Sequence, residues 1–393
     1  MSDYNNILVI NLMHIGDLML VTPVLRTLRA NYPKARLTLL ADKKLSDLVM
    51  HNKWLDECLL LDKKGADNTL LALARFIGNI RRKRYDLVIN LHRNERASAI
   101  AAFSGAKRIV GYSKPGFSLF FSKVMQNPSV AHHIGHGPFN LFPPRKYVPG
   151  WKHQVHAHLE VLKECLGIEK IDDGGLEMWI PEEITAKADK LWQDSFPKDI
   201  KVVAFNIGAS WQTKRWLDSY FAQCADELLE KDYGIAFFGG PMDQELVEKC
   251  ISQMKHKDSP LIRIFTGKLS LGELGAMLKK CALFLTTDSG PMHVGVSQGV
   301  PVVTMFGASP IPGFYPYDAK AVLLKSPEPC HPCGIHKCPW KGERNLACMK
   351  NITVEAVMQY VWELLDKYGN LAGNVPREYG KYKCRVIDLT ARE

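Results

Sequence analysis

The feature that most constrains this chain is a repeated alternation of short apolar runs with amphipathic stretches. Residues 7–10, 36–40, 57–61, 87–90 and 108–111 read as strands, and 17–30, 45–50, 69–83 and 97–103 between them as helices. Short apolar strands that take turns with helices predict a parallel, doubly wound sheet covered on both faces. From about Tyr112 to Lys152 the pattern gives way to a loop rich in Pro, Gly, His and aromatic residues. A helix over 154–166 and a Pro- and Gly-containing crossover at 172–181 follow. The alternation then restarts, with strands expected at 202–207, 234–238, 262–265, 283–286 and 302–306. Helices are expected at 217–231, 244–255, 271–280 and 292–298, then a last one at 353–368 before a mixed tail. Two such halves without a sequence repeat predict an α/β protein of two Rossmann-like domains facing a cleft, residues 1–180 and 181–393. In such sheets ligands bind beyond the carboxyl ends of the strands.

Composition narrows the function classes. At 393 residues, 46% hydrophobic and 23% charged, the chain has the balance of an ordinary globular protein. No run approaches the 18 apolar residues of a spanning helix. The start, MSDYNNILVI, lacks the basic, apolar and small-residue order of a secretory signal, so a cytoplasmic enzyme with reduced cysteines is expected. The net charge of +10 favours an anionic partner. With no zinc-finger, basic-zipper or RNA-binding signature, that partner is not expected to be nucleic acid.

Two strand–turn–helix segments carry the chemistry. In ILVINLMHIGDLMLVTPVLRTLRANYP (7–33), the turn that would need three glycines for a dinucleotide has only Gly16, followed at once by Asp17. Asp17 is either a helix cap or a carboxylate presented at a strand end. In LFLTTDSGPMHVGVSQGVPVVTMFG (283–307), Asp288-Ser289-Gly290 forms a turn and Pro291 sits at the start of a helix. Ser289, Gly290 and the first N–H groups of that helix suit a phosphate, with His293 within reach.

These segments, with GDLMLVTPVL near the N-terminus and NIGASWQTKRW opening the second half, resemble the lipopolysaccharide heptosyltransferases of glycosyltransferase family 9. The resemblance runs through nearly the whole chain and implies the GT-B architecture. It also implies an ADP-heptose donor held by the C-terminal domain and a lipopolysaccharide inner-core acceptor held by the N-terminal domain. By motif, Asp288, Ser289, Gly290 and His293 match the turn around the donor's phosphates. Lys214 matches a lysine near the diphosphate, and Ala209 and Ser210 match positions lining the donor. Gly240, in the turn FFGGPMDQE, is expected to line the nucleotide, although Met242 stands where one branch of the family has an acid. Leu269 matches an apolar residue near the adenine. Trp216 is expected to pack rather than touch ligand. No DxD follows a strand, so the leaving diphosphate's charge falls to Lys214, His293 and helix N-termini, and no cofactor is required. Asp17 is the expected general base.

The remaining clusters are weaker. His14, His92, Arg93 and Arg96 are placed at the N-terminal sheet's edge to meet phosphate or carboxylate groups of the acceptor. Cys330, Cys333, Cys338 and Cys348, with His331 and His336 between them, have a zinc-like ligand count but not the spacing of a ribbon. His132, His133, His136, His153, His156 and His158 form a tract without the spacing of a known metal site. The run RRKRYDLVIN (81–90) reads as a solvated helix end. GYSKPGFSLFFSKVM (111–125) mixes aromatics with lysines and suits an acidic lipid-anchored acceptor or a membrane surface. An enzyme working peripherally at the cytoplasmic face of the inner membrane follows. The alternatives are a transferase or epimerase of this architecture using another nucleotide sugar, or a non-catalytic, zinc-dependent binding protein.

Overall fold

The computed structural model describes residues 4–126, 152–375 and 383–391. They fold as two compact units, one made of 4–126 with 152–179 and the other starting at residue 180.

In the first unit the strands are β1 (Asn6–Ile10), β2 (Arg36–Asp42), β3 (Glu57–Leu61), β4 (Leu87–Asn90), β5 (Arg108–Gly111) and β6 (Lys123–Val124). They form one parallel sheet in the order β3-β2-β1-β4-β5-β6. The chain winds outward from β1 on one side and from β4 on the other, so the connections leaving these two strands diverge. That divergence is where a doubly wound sheet opens a crevice. Leu8, Ile10, Leu40 and Val88 fill the core against Ile100 and Ala101. These belong to α4 (Glu95–Ala102), which shares this core with Ile80 of α3 (Leu70–Arg82).

The expected helix 17–30 is two helices, α1 (Ile15–Met19) and α2 (Thr22–Asn31). Pro23 explains the break: it has no N–H for Met19 to accept, and its ring would meet that carbonyl in a continuous helix. Thr22 Oγ1 donates to the Met19 carbonyl instead, at 2.9 Å. The expected helix 45–50 is a 3-10 segment, Lys43–Leu48. α5 (Gln154–Leu166) has its expected bounds and ends on Gly167 in the left-handed region, φ 68°.

The second unit repeats the plan. α6 (Glu182–Ser195), which alternation alone did not reveal, precedes β7 (Val202–Asn206), α7 (Asp218–Leu229), β8 (Gly234–Phe237) and α8 (Gln244–Ser252). β9 (Ile262–Ile264), α9 (Leu271–Lys279), β10 (Leu283–Thr287), α10 (Gly290–Ser297), β11 (Val302–Phe306) and α11 (Ile311–Phe314) continue it. β12 (Ala321–Lys325), α12 (Ala347–Lys350), α13 (Val354–Tyr368) and β13 (Arg385–Asp388) complete the unit. The parallel sheet runs β13-β12-β11-β10-β7-β8-β9, with its divergence between β7 and β10. β13 is the edge strand, and the exposed Arg385 and Asp388 give it little apolar signal, whereas the buried run AVLLK of β12 was legible in the sequence and was missed. α13 covers the core with Val357, Val361 and Leu365 against β10 and β11.

Candidate active site

Each sheet gathers polar side chains beyond its carboxyl edge, at the point of divergence. In the second unit the loop after β7 and the turn after β10 meet there. Lys214 Nζ lies 3.1 Å from Asp288 Oδ2, with side chains 19% and 6% exposed. Asn206, the last residue of β7, ties the two strands together. Its Nδ2 donates to the Gly208 carbonyl at 3.1 Å and to Ser289 Oγ at 2.9 Å. Thr287 Oγ1 donates to the same carbonyl at 2.8 Å. Ser289 is the N-cap of α10 by its extended backbone, yet its side chain caps no helical N–H. With Pro291 in the first turn, α10 directs its positive end and free N–H groups beyond β10. Gly295 lets this helix sit close: a Cβ there would stand 2.6 Å from the Phe284 ring.

His293 is buried in α10, and its Nδ1 has no hydrogen-bond partner among the described residues. Burial pushes it down to about 4, against the pull of Asp288 and with the repulsion of Lys214. Near neutral pH the imidazole is therefore uncharged, so it supplies a hydrogen bond and not a cation. The positive charge of this site is left to Lys214 and the α10 terminus.

Lys214 is held by its surroundings. Its ammonium lies 4.8 Å from the centre of the Trp211 ring, on which His336 is stacked at 4.1 Å between centroids and 29° between planes. Thr213 Oγ1 donates to the Ile335 carbonyl, and Arg215 Nε donates to the Ala209 carbonyl at 2.8 Å. The cysteine-bearing segment thus packs on the loop that carries Lys214. That contact between residues more than a hundred apart was invisible in the sequence. Ser210 is exposed in the same loop, Ala209 is buried, and Trp216 packs as expected, donating to the Ile352 carbonyl at 2.9 Å. The turn after β8 is joined to this edge through Asp243. Its Oδ2 accepts from Gly240 N–H at 2.9 Å, and its carboxylate lies so near Gly208 that a Cβ there would clash at 2.0 Å. Gly267 N–H donates to the Gly239 carbonyl at 2.9 Å, so Gly240 and the half-buried Leu269 belong to neighbouring turns of the same edge.

In the first unit, His14 is the N-cap of α1, and Asp17 lies within the first turn. The helix-cap reading of Asp17 is therefore corrected: the cap position belongs to His14. Asp17 is half-buried and His14 exposed. Lys63, which sequence reasoning missed, holds this loop: its Nζ donates to the Leu12 carbonyl at 2.6 Å and pairs with Asp42 at 2.8 Å. Arg96 Nη1 donates to the Lys63 carbonyl at 3.2 Å, and Arg93 Nε to the Ser113 carbonyl at 3.3 Å. His92 N–H donates to Asn90 Oδ1 at 3.3 Å. His14, Asp17, Lys63, His92, Arg93 and Arg96 thus follow the carboxyl ends of β1, β3 and β4. The signal for Lys63 was available: the charged run DKKGAD comes immediately after a strand.

Among the described residues, no three or more His, Cys, Asp or Glu side chains form a group that could hold a metal ion, and Cys330, Cys333, Cys338 and Cys348 are free thiols. Cys338 Sγ accepts from Leu346 N–H at 3.3 Å, and burial raises the Cys348 thiol to about 12. His132, His133 and His136 lie outside the described residues. His153 caps α5 by accepting from Val155 N–H, and His158 is buried against Tyr112.

Residues 73–343 match the sequence profile of glycosyltransferase family 9 (heptosyltransferase). The chain is 25% identical over 304 residues to lipopolysaccharide heptosyltransferase 3 of Escherichia coli K12, covering 75% of this chain and 80% of that one. It is similar to the crystal structure of a family 9 glycosyltransferase from Veillonella parvula, with a TM-score of 0.78 and 33% identity. That match covers 93% of this chain and 99% of the other. In fold it is also similar to E. coli heptosyltransferase WaaC, whose structure was determined with ADP-2-deoxy-2-fluoro heptose. There the TM-score is 0.64 at 15% identity over 91% of this chain and 99% of that one. With two doubly wound parallel sheets of the GT-B kind and a family match through most of its length, the chain belongs to glycosyltransferase family 9 and is a heptosyltransferase-type glycosyltransferase.

Proposed function

We propose that this enzyme transfers heptose from ADP-L-glycero-D-manno-heptose to a hydroxyl of the lipopolysaccharide inner core, with inversion at the anomeric carbon. The observation that carries the donor assignment is the Lys214–Asp288 pair at the N-terminus of α10, a positive terminus braced beside a largely buried ammonium. Such a site suits a diphosphate, and its electrostatic work grows as the leaving group gains charge. The ADP-heptose analogue bound by WaaC supports the same choice. On this reading residues 181–393 bind the donor, through Ala209, Ser210, Lys214, Gly240, Leu269, Asp288, Ser289, Gly290 and His293. Residues 1–180 bind the acceptor, with His14, His92, Arg93 and Arg96 meeting its anionic groups.

The reaction is a single displacement. The acceptor oxygen bonds to the anomeric carbon while the bond from that carbon to the β-phosphate oxygen breaks, and ADP departs with the electron pair. Asp17 takes the acceptor's proton as general base. Lys214 and the α10 N–H groups meet the developing charge, so the reaction as proposed needs no metal or other cofactor. A phosphorylated, lipid-linked acceptor places the enzyme peripherally at the cytoplasmic face of the inner membrane. Among the described residues no helix is long and apolar enough to cross a membrane.

The test is product analysis by mass spectrometry with ADP-heptose and defined truncated core acceptors, run beside UDP-sugars. Heptosylated product and ADP are expected. Turnover of a UDP-sugar with none of ADP-heptose would move the enzyme to another donor, the second reading.

A further inference from the structure

The end of α3 and the 3-10 turn Pro115–Phe120 lie far apart in sequence; the first alone reads as a solvated helix end, the second as part of a segment suited to a membrane surface or an acidic lipid-anchored acceptor. The fold brings them together through the end of α4. Phe103, the C-cap of α4, meets Phe120 edge-on at 5.2 Å between ring centroids. Two residues on, the Arg81 side chain lies against Gly105, its Cγ 3.1 Å from where a Cβ would stand. The result is a single surface of exposed apolar tips beside a basic rim. Leu119 is 91% exposed, Phe120 50% and Phe103 40%. Arg81 and Arg84 are exposed and have no ion pair among the described residues. A solvated helix end accounts for the arginines but not for a leucine held almost wholly in water beside two exposed phenylalanines.

We propose that this surface is the membrane-docking face of the N-terminal unit, and that its occupant is an anionic lipid surface. Charge complementarity selects that occupant: Arg81 and Arg84 meet the headgroups while Leu119 and Phe120 enter the interfacial layer, on a chain of net charge +10. The placement suits a lipid-anchored acceptor. α4 carries Arg96 in its first turn and ends at Ala102, beside Phe103. Eight residues of helix put the two ends about 12 Å apart, so an acceptor sugar standing above its lipid reaches the basic edge while the patch touches the headgroups. The proposal rests on the lipid-linked acceptor assigned above.

The experiment is flotation of the full chain, without substrates, with vesicles of equimolar phosphatidylglycerol and phosphatidylcholine, and with phosphatidylcholine alone. Binding to the anionic vesicles only is expected. Leu119→Asp/Phe120→Asp and Arg81→Glu/Arg84→Glu should each lower it by about tenfold or more. Both variants should keep the wild-type melting temperature and the wild-type turnover of a water-soluble truncated acceptor. Equal binding to both vesicle types, or wild-type binding by either variant, overturns the proposal. So does an apolar variant that abolishes self-association in sedimentation velocity, which would make the occupant a second copy of this chain. Because flotation uses neither donor nor acceptor, its outcome is separate from that of the sugar-transfer assay.

Discussion

Lys214 and Asp288 reach each other across the divergence of the second sheet, Nζ to Oδ2 at 3.1 Å, from loops that follow neighbouring parallel strands. The pair sets both the charge and the stability of the carboxyl edge beside α10. Lys214→Met leaves the Asp288 carboxylate buried without its cation and is expected to cost about 3 kcal/mol in urea unfolding. Lys214→Met/Asp288→Asn should recover most of that loss, while both variants lose about a hundredfold or more in kcat. A double variant as unstable as the single one would show that the pair does not carry this energy.

Asp17→Asn preserves size and removes the proposed base. The expected loss in kcat/KM is about 100- to 10,000-fold, with ADP affinity by calorimetry unchanged because the proposed donor residues belong to the other unit. Parallel loss of ADP binding would remove Asp17 from the base role.

His293 gives a pH signature. Its pKa is about 4 in the folded protein and 6.5 in the unfolded chain, so the unfolded state binds the extra proton. Its contribution to stability is complete above 6.5 and is lost as pH falls toward 4. The slope contributed is at most about 1.4 kcal/mol per pH unit. His293→Asn should flatten that part of the profile, measured by thermal unfolding from pH 7 to pH 4.

The His336–Trp211 stack braces Lys214 without touching the reacting atoms. His336→Ala is expected to raise the donor KM by about tenfold and to change stability by less than about 1 kcal/mol, with His336→Phe restoring the KM. The indole fluorescence of Trp211 should report the loss of the stack. A normal donor KM in His336→Ala would leave the stack a packing contact only.

The parallel sheets were legible because the buried strands are built on short apolar runs, VVAF in β7 and LFL in β10, and helices such as α2 and α13 show a 3.6-residue stripe. Asp288, Ser289 and Pro291 announced the α10 terminus by local chemistry alone, since caps and first-turn prolines act within a few residues. β13 at the sheet edge and the break at Pro23 between α1 and α2 were less legible, because edge strands and interrupted helices have weak periods.

By itself, then, the sequence determined the alternation, the strand ends, and which polar residues must stand beyond them. Only the tertiary structure decided which of those residues meet. Pairing β7 with β10 set Lys214 against Asp288. Packing the segment around Ile335 and His336 onto Trp211 and Thr213 made the cysteine loop a brace for the loop that carries Lys214. Lys63 closing on Leu12 fixed the turn that carries Asp17. The physical reason is range: periodicity and capping are set by neighbours along the chain. An ion pair or a ring stack depends on which strand lies beside which, and that emerges only when the whole sheet is assembled.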